Sequence, residues 1–188
     1  IGFGSDGSFS WEDLSARYHS ELANGFGNLA SRTVAMVNRY FDGVIQAPGE
    51  FIDADKNVSN IAAAATREAD LAIAQIAPHQ AIAKLWTLVD ELNSYITTQE
   101  PWVLAKDSAN KERLATVLYT AVEGLRCLSV LLAPVMPKAT GRLWDSIGSS
   151  LGELADQPLS SCETWGLLQP GVKLGELEAL FPRVEESA

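Results

Sequence analysis

The sequence predicts an all-α protein, an antiparallel helical bundle with an irregular or hairpin-like C-terminal extension. Apolar residues over positions 11–148 recur at helical spacing, without strand-like alternation. Prolines and glycines divide this region into segments of helix length, whereas the stretch after residue 148 is rich in both and has no long period. A chain of 188 residues is long enough to bury a core of this kind.

The first helix is predicted over about residues 11–41. Ser10 followed by Asp13 resembles a capping box, and Asp42-Gly43 suits the left-handed end of a helix. The leucines of this segment and Met36 are predicted to face the core. The middle of the helix is unusual, because it contains four residues that lower helix stability, namely Asn24, Gly25, Gly27 and Asn28. We interpret the two glycines as points of close packing.

Four further long helices are predicted from apolar spacing and proline positions. The first of them is led by Asn57 and is rich in alanine, and the next begins at Pro78. Pro134 and Pro137 interrupt the chain before the last. The predicted ranges are 57–76, 78–98, 109–132 and 138–148.

Pro101 ends the third long helix and should begin a short one that continues to about Lys106. Trp102 then lies near a helix start, after a turn at residues 97–100. A tryptophan in this position is either a core anchor or an exposed platform on which a base stacks. On physical grounds alone, the core anchor is favoured.

The charge of the chain limits how it can hold nucleic acid. A net charge of −10 argues against binding that depends mainly on neutralising phosphates. The charge is unevenly spread, since residues 145–188 carry a net −6 and residues 101–142 a net +3. A polyanion would therefore meet the bundle rather than the tail.

The sequence predicts no catalytic residues and no metal ligands. His19 and His79 lie outside any metal-binding spacing, and the common phosphate-binding loops and nucleophile motifs are missing. Cys127 and Cys162 suit neither a metal site nor a disulfide framework, so a reducing cytoplasm is the expected compartment. We find no secretory signal and no apolar run of about 18 residues, and we therefore expect no contact with a membrane.

Asn24, Asn28 and Arg32 follow one another at intervals of four, which places them along one side of the first helix. Asparagine offers a donor and an acceptor, and arginine offers a planar fork of donors, so this stripe suits the recognition of base edges and phosphates. The alternative is ordinary solvated helix surface, which is the more frequent outcome for an arbitrary helix. Asn93 on the third helix either orients the turn before Pro101 or contacts a ligand, and the first role is favoured.

Several segments together resemble the C-terminal anticodon-binding domain of bacterial methionyl-tRNA synthetases, which are class I aminoacyl-tRNA synthetases. The resemblance spans nearly the whole chain. The segments are FGSDGSFSWEDL, ELANGFGNLASRTVAMVNRYFDG, Asn93 to Lys106 with its PWVLAK, LLAPVMPKAT and GVKLGELEALFPRVE. The combination of GNLASR with PWVLAK is specific, whereas APVMP is shared with the synthetases for valine, isoleucine and leucine.

The resemblance implies that this chain reads a CAU anticodon. Asn28 and Arg32 would hydrogen-bond the edge of the first anticodon base, a cytosine, and neighbouring groups, while Trp102 would stack on that base. Two further residues would support these contacts, and two more on the third helix would lie behind them. The supporting residues are Asn24 and Pro101, and those behind are Asn93 and Asp90.

The resemblance also implies a larger protein around this chain. Residues 1–10 would lead in from a catalytic domain, residues 11–148 would form the anticodon-binding bundle, and residues 149–188 would pack against the catalytic domain. The HIGH-type and KMSKS-type motifs of the family are missing here, so ATP with magnesium and methionine would bind in that other domain. This chain alone would then be inactive. Its expected partners are methionine tRNA and the catalytic domain, and DNA is not expected to bind.

Two alternatives stay open. In the first, the chain is a structural or protein-interaction bundle, and the polar stripe is solvated surface. In the second, the chain is the equivalent domain of another class I synthetase. The joint presence of NLASR and PWVLAK disfavours the second alternative.

Overall fold

The computed structural model describes residues 7–148 and 151–182. Within these residues it contains helices and no β-strand, which confirms the all-α prediction. A π-helical segment, Tyr18–Gly27, joins the first two α-helices, and 3-10 turns lie at Ser108–Asn110, Leu154–Asp156 and Leu159–Glu163. The α-helices are α1 (Trp11–Arg17), α2 (Asn28–Phe41), α3 (Asp53–Ala74), α4 (Pro78–Gln99), α5 (Pro101–Leu104), α6 (Lys111–Leu132) and α7 (Pro137–Ile147).

The helix predicted over residues 11–41 is continuous, but its middle is π-helical rather than α-helical. In this segment backbone bonds skip one more residue than in an α-helix, as in the bond from the Asn28 amide to the Ala23 carbonyl. The glycines fall inside the π segment. A Cβ at Gly27 would lie 3.0 Å from the Leu22 carbonyl oxygen and 3.1 Å from the Phe181 ring. Gly27 is therefore required by close packing, as predicted.

The π segment shifts the buried side of this helix from the positions that a uniform α-helix would bury. Phe26 and Leu29 are fully buried, whereas Leu14 is 49% exposed and Met36 only partly buried. The prediction that the leucines and Met36 face the core is therefore correct for Leu29 and wrong for Leu14. The physical reason is the added residue per turn, which changes the angular positions of all residues that precede it.

α3 begins four residues before the predicted start at Asn57, because its cap lies earlier. The Asp55 carboxylate accepts a hydrogen bond from the Ile52 amide at 2.9 Å, which satisfies a backbone donor at this helix end. α3 and α4 form a long hairpin, joined by residues 75–77. The predicted bounds of α4, α6 and α7 agree with the structure to within about two residues.

α6 is the central helix of the bundle and packs against α2, α3, α4 and α7. All its residues from Leu114 to Leu132 are buried. By length and hydropathy alone, Ser108–Leu132 is apolar enough to cross a membrane, which the sequence reasoning did not anticipate, but the qualifying window is 100% buried inside the protein. A helix that is buried on all sides in the core of a bundle is equally apolar around its whole circumference.

The described part of the C-terminal extension lies on the bundle and is irregular rather than hairpin-like. The Glu123 carboxylate of α6 accepts hydrogen bonds from the backbone amides of Gly166, Leu167 and Leu168 at 2.9–3.1 Å. Arg126 pairs with Glu123 at 2.9 Å and donates to the Ser161 carbonyl at 3.2 Å. This buried ion pair fixes the tail to the core.

The two cysteines are both buried and free, and they lie next to each other in the fold. The Cys162 thiol faces the Cys127 carbonyl at 3.6 Å. The tail segment that carries Cys162 packs against α6 and excludes water from the thiol.

Candidate nucleic-acid interface

Arg32 and Trp102 lie together on the surface, although 70 positions separate them in sequence. The Arg32 guanidinium carbon lies 5.9 Å from the centroid of the Trp102 ring, within the range of a cation–π contact. The Trp102 side chain is 37% exposed, so the structure does not make it a core anchor. No carboxylate in the described part of the chain lies at ion-pair distance from Arg32, which leaves its donors available to a ligand.

Asn24 and Asn28 line one shallow cavity of about 230 Å³. Both side chains are exposed, and Asn28 lies one helical turn before Arg32. The opposite wall of the cavity is the tail segment 179–182, including Phe181. The Pro182 carbonyl accepts a hydrogen bond from the Tyr18 hydroxyl at 2.7 Å, which holds this wall against the π segment. The two asparagines of the predicted stripe thus lie along one edge of a cleft.

Pro101 is buried and begins α5, as predicted, directly before Trp102. The preceding residue, Glu100, has the left-handed backbone angles φ 45° and ψ 57°. Its carbonyl accepts hydrogen bonds from the amides of Val103 at 2.7 Å and Leu104 at 3.2 Å. α5 is a single turn held by that carbonyl, and the direction of the Trp102 ring depends on this turn.

Asp90 and Asn93 lie on α4, away from the cleft that holds Asn24 and Asn28. Asp90 is exposed and lines a separate open groove of about 500 Å³ with Gly25 and Trp86. The Asn93 side chain donates to the Val89 carbonyl at 3.1 Å, and the Asn93 carbonyl accepts from the Thr97 hydroxyl at 2.8 Å. Asn93 therefore takes part in hydrogen bonds within the last turns of α4, and its role in holding the following turn stays a prediction.

A buried carboxylate, Asp55, connects α3, α4 and α6 below this surface. Its two oxygens accept from Arg113 at 2.6 and 2.9 Å, and its Oδ1 also accepts from the Tyr95 hydroxyl. Burial raises the pKa of the Asp55 carboxyl, but the hydrogen bonds from Arg113, Tyr95 and the Ile52 amide outweigh it, so the pKa lies below its usual value. Burial and the neighbouring Asp55 carboxylate raise the pKa of Tyr95. At neutral pH the Asp55 carboxylate and the Arg113 guanidinium are therefore ionised, while the Tyr95 hydroxyl keeps its proton.

The same arginine reaches the end of α4. Arg113 Nη2 donates to the side-chain oxygen of Gln99 at 2.7 Å, and Gln99 stands two residues before Pro101.

In the described ranges, no group of three or more His, Cys, Asp or Glu side chains is arranged to hold a metal ion. The surface thus offers an aromatic face, a guanidinium and two amides, which are the groups that bind unstacked bases.

Comparison with known families identifies the family of the chain. The profile of the family described as the anticodon binding domain of methionyl tRNA ligase matches residues 45–188. The chain belongs to the methionyl-tRNA ligase anticodon-binding domain family. The resemblance expected from GNLASR and PWVLAK is thereby confirmed.

The curated relatives of this chain belong to the same family. Methionine–tRNA ligase of Streptomyces coelicolor is 49% identical over 191 residues, which cover 99% of this chain and 36% of the relative. Methionine–tRNA ligase of Bacillus subtilis is 36% identical over 189 residues, which cover 98% of this chain and 28% of the relative. The chain spans about a third of the length of the curated relatives it matches.

Solved structures of the family share the fold. The free-state crystal structure of Mycobacterium tuberculosis methionyl-tRNA synthetase has a TM-score of 0.90 and 33% identity, with 100% of this chain and 37% of that chain covered. The same enzyme in complex with methionyl-adenylate has a TM-score of 0.89 and 34% identity, with 97% and 35% covered. The fold class is therefore that of the anticodon-binding domain.

Sequence reasoning missed two features of this interface. The first is the tail wall at residues 179–182, for which Gly27 was the available signal, because a glycine inside a helix indicates close approach. The second is the contact between Gln99 and Arg113. Nothing in the sequence pairs a glutamine at the end of one helix with an arginine near the start of another.

Proposed function

We propose that this chain recognises the CAU anticodon of methionine tRNA. The observation that carries the proposal is the placement of the Arg32 guanidinium against the exposed Trp102 ring, with Asn28 one turn away, in a domain of the methionyl-tRNA ligase family. The first anticodon base, a cytosine, would stack on Trp102 while Asn28 and Arg32 bond its edge. Asn24 would extend the contact along the cleft, and Pro101 would fix the tryptophan.

The chemistry of the surface favours single-stranded RNA over a duplex. Loop bases are unstacked, so an aromatic face and side-chain amides reach them directly, and stacking contributes about 1–3 kcal/mol per base. The net charge of −10 is acceptable for such a ligand, because recognition rests on base contacts more than on phosphates. Affinity for RNA would therefore be modest and its dependence on loop sequence strong.

The chain would serve a larger ligase that attaches methionine to its tRNA. Its relatives are methionine–tRNA ligases about three times its length, so binding of ATP with magnesium and of methionine would belong to the remaining part of such an enzyme. The chain alone would not aminoacylate. A cytoplasmic location fits this role, and residues 149–188, whose described part 151–182 lies on the bundle, would also contact the catalytic domain.

Titration with RNA stem-loops tests the proposal. The 188-residue chain is titrated with a fluorescent stem-loop that carries a CAU loop, and with one whose first anticodon base is changed. We expect clear preference for the CAU loop. Equal affinities for the two RNAs would contradict anticodon reading and favour a structural or protein-interaction bundle.

A further inference from the structure

The turn that carries Trp102 is anchored by buried Pro101 and by Leu104, which packs against the core, but its own hydrogen bonds do little to hold it. α5 has four residues, which is too short to be stable alone, and Glu100 before it adopts left-handed backbone angles that cost energy for a residue other than glycine. The exposed half of the Trp102 ring has no packing on the solvent side. Something outside α5 must therefore fix the direction in which the ring points.

A chain of side-chain hydrogen bonds connects this turn to the core. Asp55, whose side chain is 0% exposed, holds Arg113 through both of its carboxylate oxygens. Arg113 Nη2 also donates to the Gln99 side chain at 2.7 Å. Gln99 is the last residue of α4, and only Glu100 and Pro101 separate it from Trp102.

The geometry of the arginine makes this connection rigid. A guanidinium is planar, and two bonds to one carboxylate fix both its position and its orientation, so the second N–H of Nη2 points in one direction. Gln99 must meet that donor. The backbone beyond Gln99 has little freedom, because Pro101 fixes its own φ and is buried.

We infer that Gln99, held by Arg113, is a positioning residue that sets the placement of Trp102 for base recognition. The inference rests on the proposed function, since it assigns the mechanism by which the stacking face is held ready. Loss of the Gln99 contact should leave the buried Asp55–Arg113 pair intact and let α5 sample other directions. Affinity for the correct loop would then fall more than affinity for the altered loop.

Substitutions at Gln99 test this inference in the full chain. Gln99→Ala removes the acceptor, Gln99→Glu keeps an acceptor for Arg113, and Gln80→Ala removes an exposed glutamine at the other end of α4 as the matched control. The readout is the ratio of affinities for the CAU stem-loop and the stem-loop with its first base changed. A variant that only lowers the folded fraction leaves this ratio unchanged.

We expect Gln99→Ala to reduce the ratio by about threefold to tenfold, the range that corresponds to one hydrogen bond. Gln99→Glu should keep the ratio, because an added negative charge weakens binding of both RNAs alike, and Gln80→Ala should not change it. An unchanged ratio in Gln99→Ala would overturn the inference, as would a ratio that falls equally in Gln99→Glu.

A measurement without RNA separates this inference from the proposed function. Chains labelled with fluorotryptophan give one fluorine NMR signal for each of the five tryptophans, and Trp102→Phe assigns one of them. We expect the Trp102 signal to shift or broaden in Gln99→Ala and not in Gln80→Ala. If the wild-type chain showed no preference for the CAU stem-loop, the proposed function would fail. The Trp102 signal would then decide the inference about Gln99 on its own, and an unchanged Trp102 signal in Gln99→Ala would contradict that inference.

Discussion

Two buried carboxylates, Asp55 and Glu123, have the same local chemistry and serve different parts of the molecule. Each has a side chain that is 0% exposed and each pairs with an arginine. The further partners of Glu123 and Arg126 include backbone groups of the tail, whereas Arg113 Nη2 also donates to the side chain of Gln99. One cluster fixes a segment of chain, and the other connects the core to the recognition surface.

The difference lies in what each arginine can reach. Arg126 is 1% exposed and enclosed by the tail, while the Arg113 side chain is 22% exposed at the edge of the bundle. The amides and carbonyls that Glu123 and Arg126 bind belong to the backbone, so they remain when a tail side chain is substituted. We therefore assign the Glu123 cluster to the stability of the fold. A side-chain partner such as Gln99 can be changed by one substitution, which makes the Asp55 cluster a place where recognition can be tuned.

Glu123→Ala is expected to have the largest effect on stability. It leaves the Arg126 charge buried without its partner and removes the acceptor of three tail amides, which costs about 3–5 kcal/mol. Denaturant unfolding measures the loss, and limited proteolysis should cut the tail first. A loss below 1 kcal/mol would contradict the assigned role, and Glu153→Ala on the tail surface serves as the control.

Asp55→Asn is expected to cost less at neutral pH, about 2 kcal/mol, because an amide replaces a charged acceptor of hydrogen bonds. The pKa of Asp55 in the folded chain lies below that in the unfolded chain. Its contribution to stability is therefore present above the unfolded pKa, about pH 4, and is lost as the pH falls further. Wild type and variant should converge in acid, and a constant difference between them from pH 7 to pH 3 would contradict this account.

Gly27→Ala tests whether the cleft wall needs a close approach. The added methyl group would lie 3.0 Å from the Leu22 carbonyl oxygen and 3.1 Å from the Phe181 ring, so we expect a loss of about 1–3 kcal/mol. Gly141→Ala in α7 is the matched control, since nothing lies within 4 Å of a Cβ there, and it should stabilise the chain by up to about 1 kcal/mol. Equal changes in the free energy of unfolding for Gly27→Ala and Gly141→Ala, measured by thermal unfolding, would contradict the packing role of Gly27.

Arg32→Ala should have the smallest effect on stability and yet weaken RNA binding. The contact with Trp102 is partly exposed and contributes about 0.5–1 kcal/mol to folding. Thermal unfolding measures this loss, and titration with the CAU stem-loop measures the change in affinity. A large loss of stability together with unchanged RNA affinity would show that Arg32 stabilises the fold and does not bind RNA.

The fold could be predicted from the sequence because helix spacing and prolines act locally. Pro78, Pro101 and Pro137 stand at the starts of three helices, as expected for a residue that suits the first helical turn. The π segment was not predicted, since the Asn and Gly residues showed only that helix propensity was low there. The start of α3 was missed because Ile52, which stands at its N-cap, is not a typical capping residue, and the Asp55 carboxylate three residues later accepts from the Ile52 amide.

The candidate site could be predicted only in part. The spacing of Asn24, Asn28 and Arg32 predicted that they share one side of a helix, and in the structure the two asparagines line one cleft. Local physics favoured a buried Trp102, and the ring is half exposed because α5 presents it beside Arg32. The tail wall and the Gln99–Arg113 contact depend on tertiary packing between distant segments, which spacing does not encode.

The central claim is that Trp102 is the face on which the first anticodon base stacks, and Trp102→Ala tests it most directly. The affinity of the 188-residue chain for the CAU stem-loop is compared with that of Trp11→Ala, in which a 72% exposed tryptophan outside the cleft is removed. We predict a loss of about fivefold to a hundredfold for Trp102→Ala, as stacking energies imply, and no change for Trp11→Ala. Unchanged affinity in Trp102→Ala, or the same loss in both variants, would contradict the account.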